Sequence, residues 1–500
     1  MDLTLVRPPY LISDNAISAV SNIIPIGVVE LATYIKNRGH SVTVLDAMEN
    51  NELNPHRIKG HKLFGQTLEE IINSISKDSR IIGISCLFSK DWIIYKELAE
   101  KIKKKFPDSL VVLGGEHATA DYKYILKNCP SVDYCILGEG EVALDSLLEY
   151  LKGNLTKEQM SGISFVDKIT NKIIKYETKR ITQQENLIWP DWDFINIQKY
   201  IDLGAGQEVW GRKTMPILGS RGCPYTCTFC TNEFMWGRRM VYRDPSEIVD
   251  KIIEYKKIYK IDHIEFFDWA GIINKNWIFE ICTHLIDRNV GITFSFPVGT
   301  RAEVINPDII HLMIRAGLVN ILFAPESGSP TMVKTIRKQI NLESLLKKIE
   351  ACNDQGIRSG ANFIIGFPNE TNKEIFETIR YIFKCLWAGL DDLLLYMFTP
   401  YPGSTLHEEL VSKNIIIKEG EDYENFLLLN NYNDFIPNSH IPRFRRLSLY
   451  VLVRFIVIVY YGLSLLMRPK RYWNSFRNIW KKKPCGFVEV FIAKKVYGNN

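Results

Sequence analysis

Along the first 150 residues, short runs of consecutive apolar positions alternate with longer amphipathic stretches. Leu3 to Val6, Ser41 to Asp46, Ile81 to Cys86, Leu110 to Leu113 and Tyr134 to Leu137 read as strands, several of them apolar on both faces. Between them, Ile26 to Asn37 and Trp92 to Lys105 carry apolar residues at helical spacing, and a further helix follows Gly138-Glu139-Gly140-Glu141. This alternation predicts an α/β fold with a doubly wound, Rossmann-like parallel sheet over residues 1–150. Ligands of such sheets bind beyond the carboxyl ends of the strands. The loops Arg7-Pro8-Pro9, Ser85 to Ser89, Gly114 to His117 and Gly138 to Glu141 all fall on that edge. Residues 151–205 read as a connector: Gly162 to Val166 and Ile173 to Tyr176 suit a hairpin, and Trp189-Pro190-Asp191-Trp192 interrupts any regular element. From 206 to 425, β/α units repeat with glycine and polar residues at the strand carboxyl ends, the pattern of a barrel with its site at that face.

Residues 426–500 form a different kind of region. Leu447 to Met467 is almost uninterruptedly apolar, yet Tyr450, Arg454, Tyr461, Ser464 and Arg468 align on one helical face, and Trp473, Trp480 and Lys481-Lys482-Lys483 follow. Three readings stand: an interfacial membrane helix, a helix packed on the barrel, or a membrane span. Charge sharpens the picture. The net charge is +5, but Ile441 to Asn500 holds thirteen Lys and Arg against the single acid Glu489, so the tail carries +12 and the rest −7. A basic tail seeks an acidic partner; paired with an apolar helix, it points to peripheral membrane contact rather than nucleic acid. The N-terminus Met1-Asp2-Leu3-Thr4-Leu5-Val6 reads as a strand and not a signal peptide, which makes the expected location cytoplasmic, with membrane association through the tail.

Of ten cysteines, seven are scattered singly and three are crowded into Cys223-Pro224-Tyr225-Thr226-Cys227-Thr228-Phe229-Cys230, directly after an apolar strand. Chance yields only about 0.004 Cys-x3-Cys-x2-Cys triplets in a chain of this composition, and such clustering marks a metal site in a reducing compartment. Structural zinc needs four ligands, and no second Cys or His pair lies nearby at finger spacing, so a zinc reading requires a remote fourth ligand. Three thiolates on a four-iron cube leave one iron open.

The triplet resembles the radical AdoMet (S-adenosyl-L-methionine) superfamily, and the resemblance extends for about 190 residues. It implies a partial (β/α)6 barrel in which Cys223, Cys227 and Cys230 hold a [4Fe–4S] cluster whose open iron binds AdoMet. Phe229 matches the aromatic near adenine. Asp268 stands where relatives often carry an acidic pair, with Trp269 in the second place; Arg301 follows a strand. Ala324-Pro325-Glu326-Ser327-Gly328-Ser329 is similar to the family's AdoMet-contacting Gly-x-Glu-Ser-Gly-Ser, with Ala324 replacing glycine, and Arg337 follows at the usual distance. Ile365-Gly366-Phe367-Pro368-Asn369-Glu370-Thr371 resembles the adenine-contacting strand, and Pro400-Tyr401-Pro402-Gly403-Ser404 the closing segment.

Pro25-Ile26-Gly27, Gly39-His40, Gly114-Gly115-Glu116-His117 and Gly138-Glu139 together resemble the cobalamin-binding domain that precedes many such barrels, which implies cobalamin contacts from Ser85, Gly114, Gly115, Glu116, His117, Gly138 and Glu139. The Asp-x-His-x-x-Gly motif that supplies a cobalt ligand in mutases is absent: Asp46 is followed by Ala47-Met48-Glu49. His117 is then either a ligand or a loop histidine beside the corrin. The combined resemblance implies an anaerobic methyltransferase-like enzyme acting on an unactivated carbon, with an electron donor such as ferredoxin or flavodoxin, and the basic, apolar tail points to a lipid or other hydrophobic small-molecule substrate. Radical ring closure or carbon–carbon coupling is the alternative within the family, and a non-catalytic iron–sulfur or cobalamin sensor the alternative outside it. No catalytic acid, base or radical quencher is identifiable.

Overall fold

The computed structural model describes residues 1–13, 23–49, 53–204, 206–207, 209–299, 301, 306–429 and 440–497. The opening of the basic C-terminal region, 430–439, lies outside the described residues.

Seven strands form the N-terminal sheet, in the spatial order Lys172–Lys175, Ile163–Asp167, Tyr134–Ile136, Leu110–Gly114, Ile81–Ser85, Asp2–Arg7 and Ser41–Asp46. The last five pair in parallel. Their cores, such as Ile82, Ile84, Val111 and Leu113, are fully buried because helices cover both faces. The predicted hairpin forms and belongs to the first sheet. Ile163–Asp167 pairs antiparallel with Tyr134–Ile136 and carries the sheet two strands further. A small sheet of Tyr10–Ile12, Leu53–Ile58 and His61–Phe64 was not legible in the apolar pattern.

Six parallel strands make the second sheet: Thr214–Ile217, His263–Phe266, Thr293–Phe296, Leu318–Glu326, Arg358–Ile365 and Asp392–Met397, adjacent in chain order as a partial barrel requires. Pro245–Tyr259, Lys275–Asp287, Pro307–Ala316, Leu342–Asp354 and Asn372–Ala388 are the intervening helices, several started by a side-chain cap such as Asp244, Asn274, Asn306 and Asn341. Thr405–Ser412 and Gly420–Leu428 instead cross to the N-terminal layer, where Leu406, Tyr423 and Leu427 join its core.

The C-terminal helices close the structure. Arg443–Met467 packs one face on the barrel beside the last strand: Tyr460 Oη donates to Leu390 O at 2.7 Å, Tyr461 Oη accepts from Leu393 N at 3.0 Å, and Arg468 donates to Leu386 O. One face of this segment therefore packs on the barrel, as one of its three readings has it. A span would have to strip these bonds and the barrel core behind them. Farther on, Phe487–Tyr497 seals the barrel base, where Arg358 pairs with both Asp392 at 2.8 Å and Glu489.

Candidate functional site

The strand Thr214–Ile217 delivers the chain to Gly219–Cys230. Gly222 has a φ of 97° and packs against the Arg239 carbonyl so closely that a Cβ has no room, so only glycine turns the chain into the cysteine loop. Cys223 N donates to Gly237 O, Cys230 N to Cys227 O, and Thr228 N to Ile336 O at 3.1 Å. All three thiols are free and half-buried, whereas six of the other seven cysteines are buried. Burial pushes the Cys227 thiol up, while Lys338 and Arg301 pull it down. Burial outweighs the two cations, so the metal-free thiol is held up on balance, and the same pair of cations suits a carboxylate-bearing ligand.

The motif segments converge on this loop. Cys227 Sγ approaches Arg337 O at 3.8 Å, and Lys338 Nζ lies 5.9 Å from the Phe229 ring while bonding Glu326 at 3.0 Å. Arg301 stacks over Tyr225 at 3.8 Å and donates to Gln339 O. Glu326 and Arg337 hold φ of 65° and 55°, a left-handed conformation that costs roughly 1–2 kcal/mol per residue. Such strain persists where surrounding structure fixes it, commonly at ligand sites. Ser327 is fully buried and bonds Thr378 Oγ1 at 3.0 Å. Ile365 ends its strand, and Gly366 turns at φ 85° with Glu370 accepting from the Gly366 and Phe367 amides. Asp268 takes a different place: fully buried, it accepts from Ser220 Oγ and Gly219 N and so anchors the root of the cysteine loop. Burial raises its carboxyl to about 6.

On the N-terminal sheet edge, Ser85, Gly114, Gly115 and Glu116 are half-exposed. Gly115, at φ 110°, passes 2.7 Å from Cys86 O measured from a notional Cβ, leaving no space for a side chain. His117 turns inward. Its ring is fully buried beside Trp92 and Tyr95, Nδ1 lies 3.0 Å from Ser89 Oγ, and burial lowers it to about 4. A ring so enclosed is neutral and has no face on the cleft. Gly138 and Glu139 are covered by the connector: Gly138 sits under Thr178 and Arg180, and Glu139 accepts from Ile181 N at 2.9 Å.

Two residues beside the cysteines tie the loop to the first sheet. Thr231 donates to Glu116, and Arg221 reaches Glu30 at 2.9 Å and Glu141 at 2.6 Å; Arg243 adds a second cation on Glu30 at 3.2 Å. Sequence reasoning missed this buried knot. The only available signal was an arginine two residues before the first cysteine, and its partners lie 191 and 80 positions away.

Residues 12–148 match the B12 binding domain family and residues 217–382 the radical SAM superfamily. The chain is a radical SAM enzyme with a B12-binding domain. This cobalamin-type radical SAM enzyme is 26% identical over 423 residues to an uncharacterized methyltransferase, PH0819, of Pyrococcus horikoshii, covering 83% of this chain and 84% of that one. It is 28% identical over 422 residues to the anaerobic magnesium-protoporphyrin IX monomethyl ester cyclase of Rubrivivax gelatinosus, covering 83% and 70%. Its fold is that of the cobalamin-dependent S-adenosylmethionine radical enzyme OxsB, with a TM-score of 0.61 at 21% identity over 85% of this chain, which spans 56% of that longer structure. Its cofactors are a [4Fe–4S] cluster, AdoMet and cobalamin.

The covered edge of the cobalamin sheet carries a pH signature. Burial lifts the Glu139 carboxyl to about 7. Between its ordinary value and 7, the folded protein keeps a proton that the unfolded chain has released. Stability from this group is therefore full below about pH 4.5 and is lost as pH rises through 7. In cofactor-free protein, stability and with it the melting temperature should fall from pH 5 to 7.5, and Glu139→Gln should remove up to about 2 kcal/mol of that loss and so flatten the slope. Equal slopes in parent and variant would remove Glu139 as its source.

Proposed function

We propose that this enzyme methylates an unactivated carbon of a hydrophobic substrate, with Cys223, Cys227 and Cys230 holding the cluster. The observation that carries the reading is the direct bonding of the cysteine loop to helices of the cobalamin-side domain, through Thr231 to Glu116 and Arg221 to Glu30 and Glu141. That bonding supports a reading in which the two cofactor regions face one substrate. When bound, the cluster supplies the electron that splits AdoMet to a 5′-deoxyadenosyl radical, and cobalamin supplies the methyl carrier. Lys338 and Arg301 are assigned to orient the AdoMet carboxylate, and the backbone at Glu326, Ser327, Ile365 and Gly366 to seat the nucleoside, with Phe229 against it. Ser85, Gly114, Gly115 and Glu116 would hold cobalamin, and His117, enclosed by Trp92 and Tyr95, would not contact it. A row of rings, Phe229 to Phe367 at 5.9 Å, Phe367 to Phe398 at 5.1 Å and Phe398 to His440 at 5.6 Å, packs as core between cluster loop and tail, and the exposed apolar face of the tail helix Arg443–Met467 is what supports a hydrophobic substrate.

Similarity to the cyclase favours radical ring closure as the second reading. Product analysis separates the two. Methylation consumes AdoMet in two ways, so extracts of the host's small molecules and lipids, incubated anaerobically with reduced enzyme, should yield S-adenosylhomocysteine and 5′-deoxyadenosine together with a product heavier by one methylene. Formation of 5′-deoxyadenosine without S-adenosylhomocysteine would reject methylation in favour of ring closure.

A further inference from the structure

The helix Arg443–Met467 has two apolar faces, and the barrel uses only one. Leu449, Tyr450, Val453, Ile456 and Tyr460 are buried against it. On the opposite side Phe444, Val451, Phe455, Ile458 and Leu466 point outward, with Phe455 63% and Ile458 71% exposed. At 1.5 Å per residue this stripe runs about 33 Å. The next helix, Pro469–Trp480, has no buried residue. It exposes Trp473, Phe476 and Trp480, whose rings stack in series at 5.8 and 6.3 Å. The helix Asn372–Ala388, which touches Arg443–Met467, also exposes Phe376 and Trp387. Isolated surface apolar residues are ordinary; a continuous stripe flanked by aromatic side chains is an interaction surface.

Charge identifies its occupant. Arg443 and Arg445 stand exposed at one end of the stripe, and Lys470, Arg477, Lys481, Lys482 and Lys483 at the other. The tail's one acid, Glu489, is buried on Arg358 and offers nothing to a partner. A second copy of this chain would bring two strongly cationic rims together, which disfavours self-association. A lipid surface with anionic headgroups accommodates apolar stripe, interfacial tryptophans and cations at once. We infer that the outer faces of Arg443–Met467 and Pro469–Trp480 dock the enzyme on an anionic lipid surface, with the barrel mouth at the rim of the contact.

The mouth lies at the start of this helix. Ile441 and Leu449 cover Gly366 at the carboxyl end of its strand, and Arg445 donates to Glu370 O at 3.2 Å. An apolar molecule leaving the lipid near Phe444 would enter beside the segment assigned to AdoMet. The inference thus extends the reading of a hydrophobic substrate, but its test needs no substrate.

The test is flotation of the full chain with phosphatidylcholine vesicles, plain or containing about a third phosphatidylglycerol, at roughly 0.05 M and 0.5 M salt. The parent should float with the anionic vesicles, weakly with the neutral ones, and less at high salt. Phe455→Glu with Ile458→Glu should cut the bound fraction about tenfold while 5′-deoxyadenosine formation in solution stays at the parental rate. A double variant that floats like the parent, or a parent that stays in the soluble fraction as a monomer, overturns the inference. A parent that is dimeric by light scattering, and that the double variant renders monomeric, overturns it in favour of a self-interface. None of these outcomes touches the methylation reading, which the product assay decides alone.

Discussion

Anaerobically reconstituted protein is expected to carry about four iron and four sulfide, and Cys227→Ala to reduce 5′-deoxyadenosine formation to background. Cys227 is the triad member whose thiol faces Lys338 and Arg301 and whose sulfur lies against Arg337 O. Losing it removes one of three ligands and the anion that those cations balance, so the effect should exceed any other single change. Serine at Cys485, a half-buried thiol bonded to Val319 O far from the loop, serves as the control and should keep iron content and turnover. A Cys227→Ala protein still cleaving AdoMet at the parental rate would refute the assignment of the triad.

The second large effect is expected at Arg221. Glu30 is 3% exposed, and burial raises its carboxyl even against Arg221 and Arg243. Removing one partner from a buried ion pair leaves charge uncompensated and typically costs 3–5 kcal/mol, a range that by order of magnitude applies here. Arg221→Met should therefore lower the melting temperature sharply and loosen the cysteine loop from the first sheet. Adding Glu141→Gln should recover much of the stability, because Glu30 keeps Arg243 as its partner while a neutral amide tolerates the apolar surroundings better than an orphaned carboxylate. If the double variant melts no higher than the single one, the loss is one of packing and not of charge.

What the sequence disclosed and what it withheld divide along physical lines. Both main sheets were legible because their strands are short apolar runs punctuated by glycine, and the cysteine loop because three thiols in eight residues defy chance. Local patterns of this kind survive in one dimension. The hairpin Ile163–Asp167 and Lys172–Lys175 was legible as a hairpin, but not as an extension of the first sheet, since an antiparallel edge leaves no mark on the strand it joins. Asp268 was visible as a motif position, yet its partner, the Ser220 hydroxyl, is a matter of tertiary approach. His117 stood in a glycine-rich loop, where exposure is the ordinary expectation; the bulk of Trp92 and Tyr95 draws it into the core. The Arg221 knot joins Glu30, Glu141 and Arg243 across the chain and has no local signature at all. The tail's periodicity revealed a polar stripe but not which side met the barrel, because both sides are apolar.

The ion cluster at the barrel base bears on how the protein is made. Arg358 and Asp392 belong to two neighbouring strands, and their second carboxylate, Glu489, is contributed about a hundred residues later. Until that segment has left the ribosome, the last two strands hold a buried arginine only partly compensated, and Gly486 is not yet packed against it. Synthesis at about 5–20 residues per second makes that interval several seconds long. During it, the N-terminal sheet is complete and the barrel is not. A nascent chain stalled before residue 487 should therefore resist protease over its first half and be cut within the last strands, and resuming synthesis through the helix Phe487–Tyr497 should restore protection.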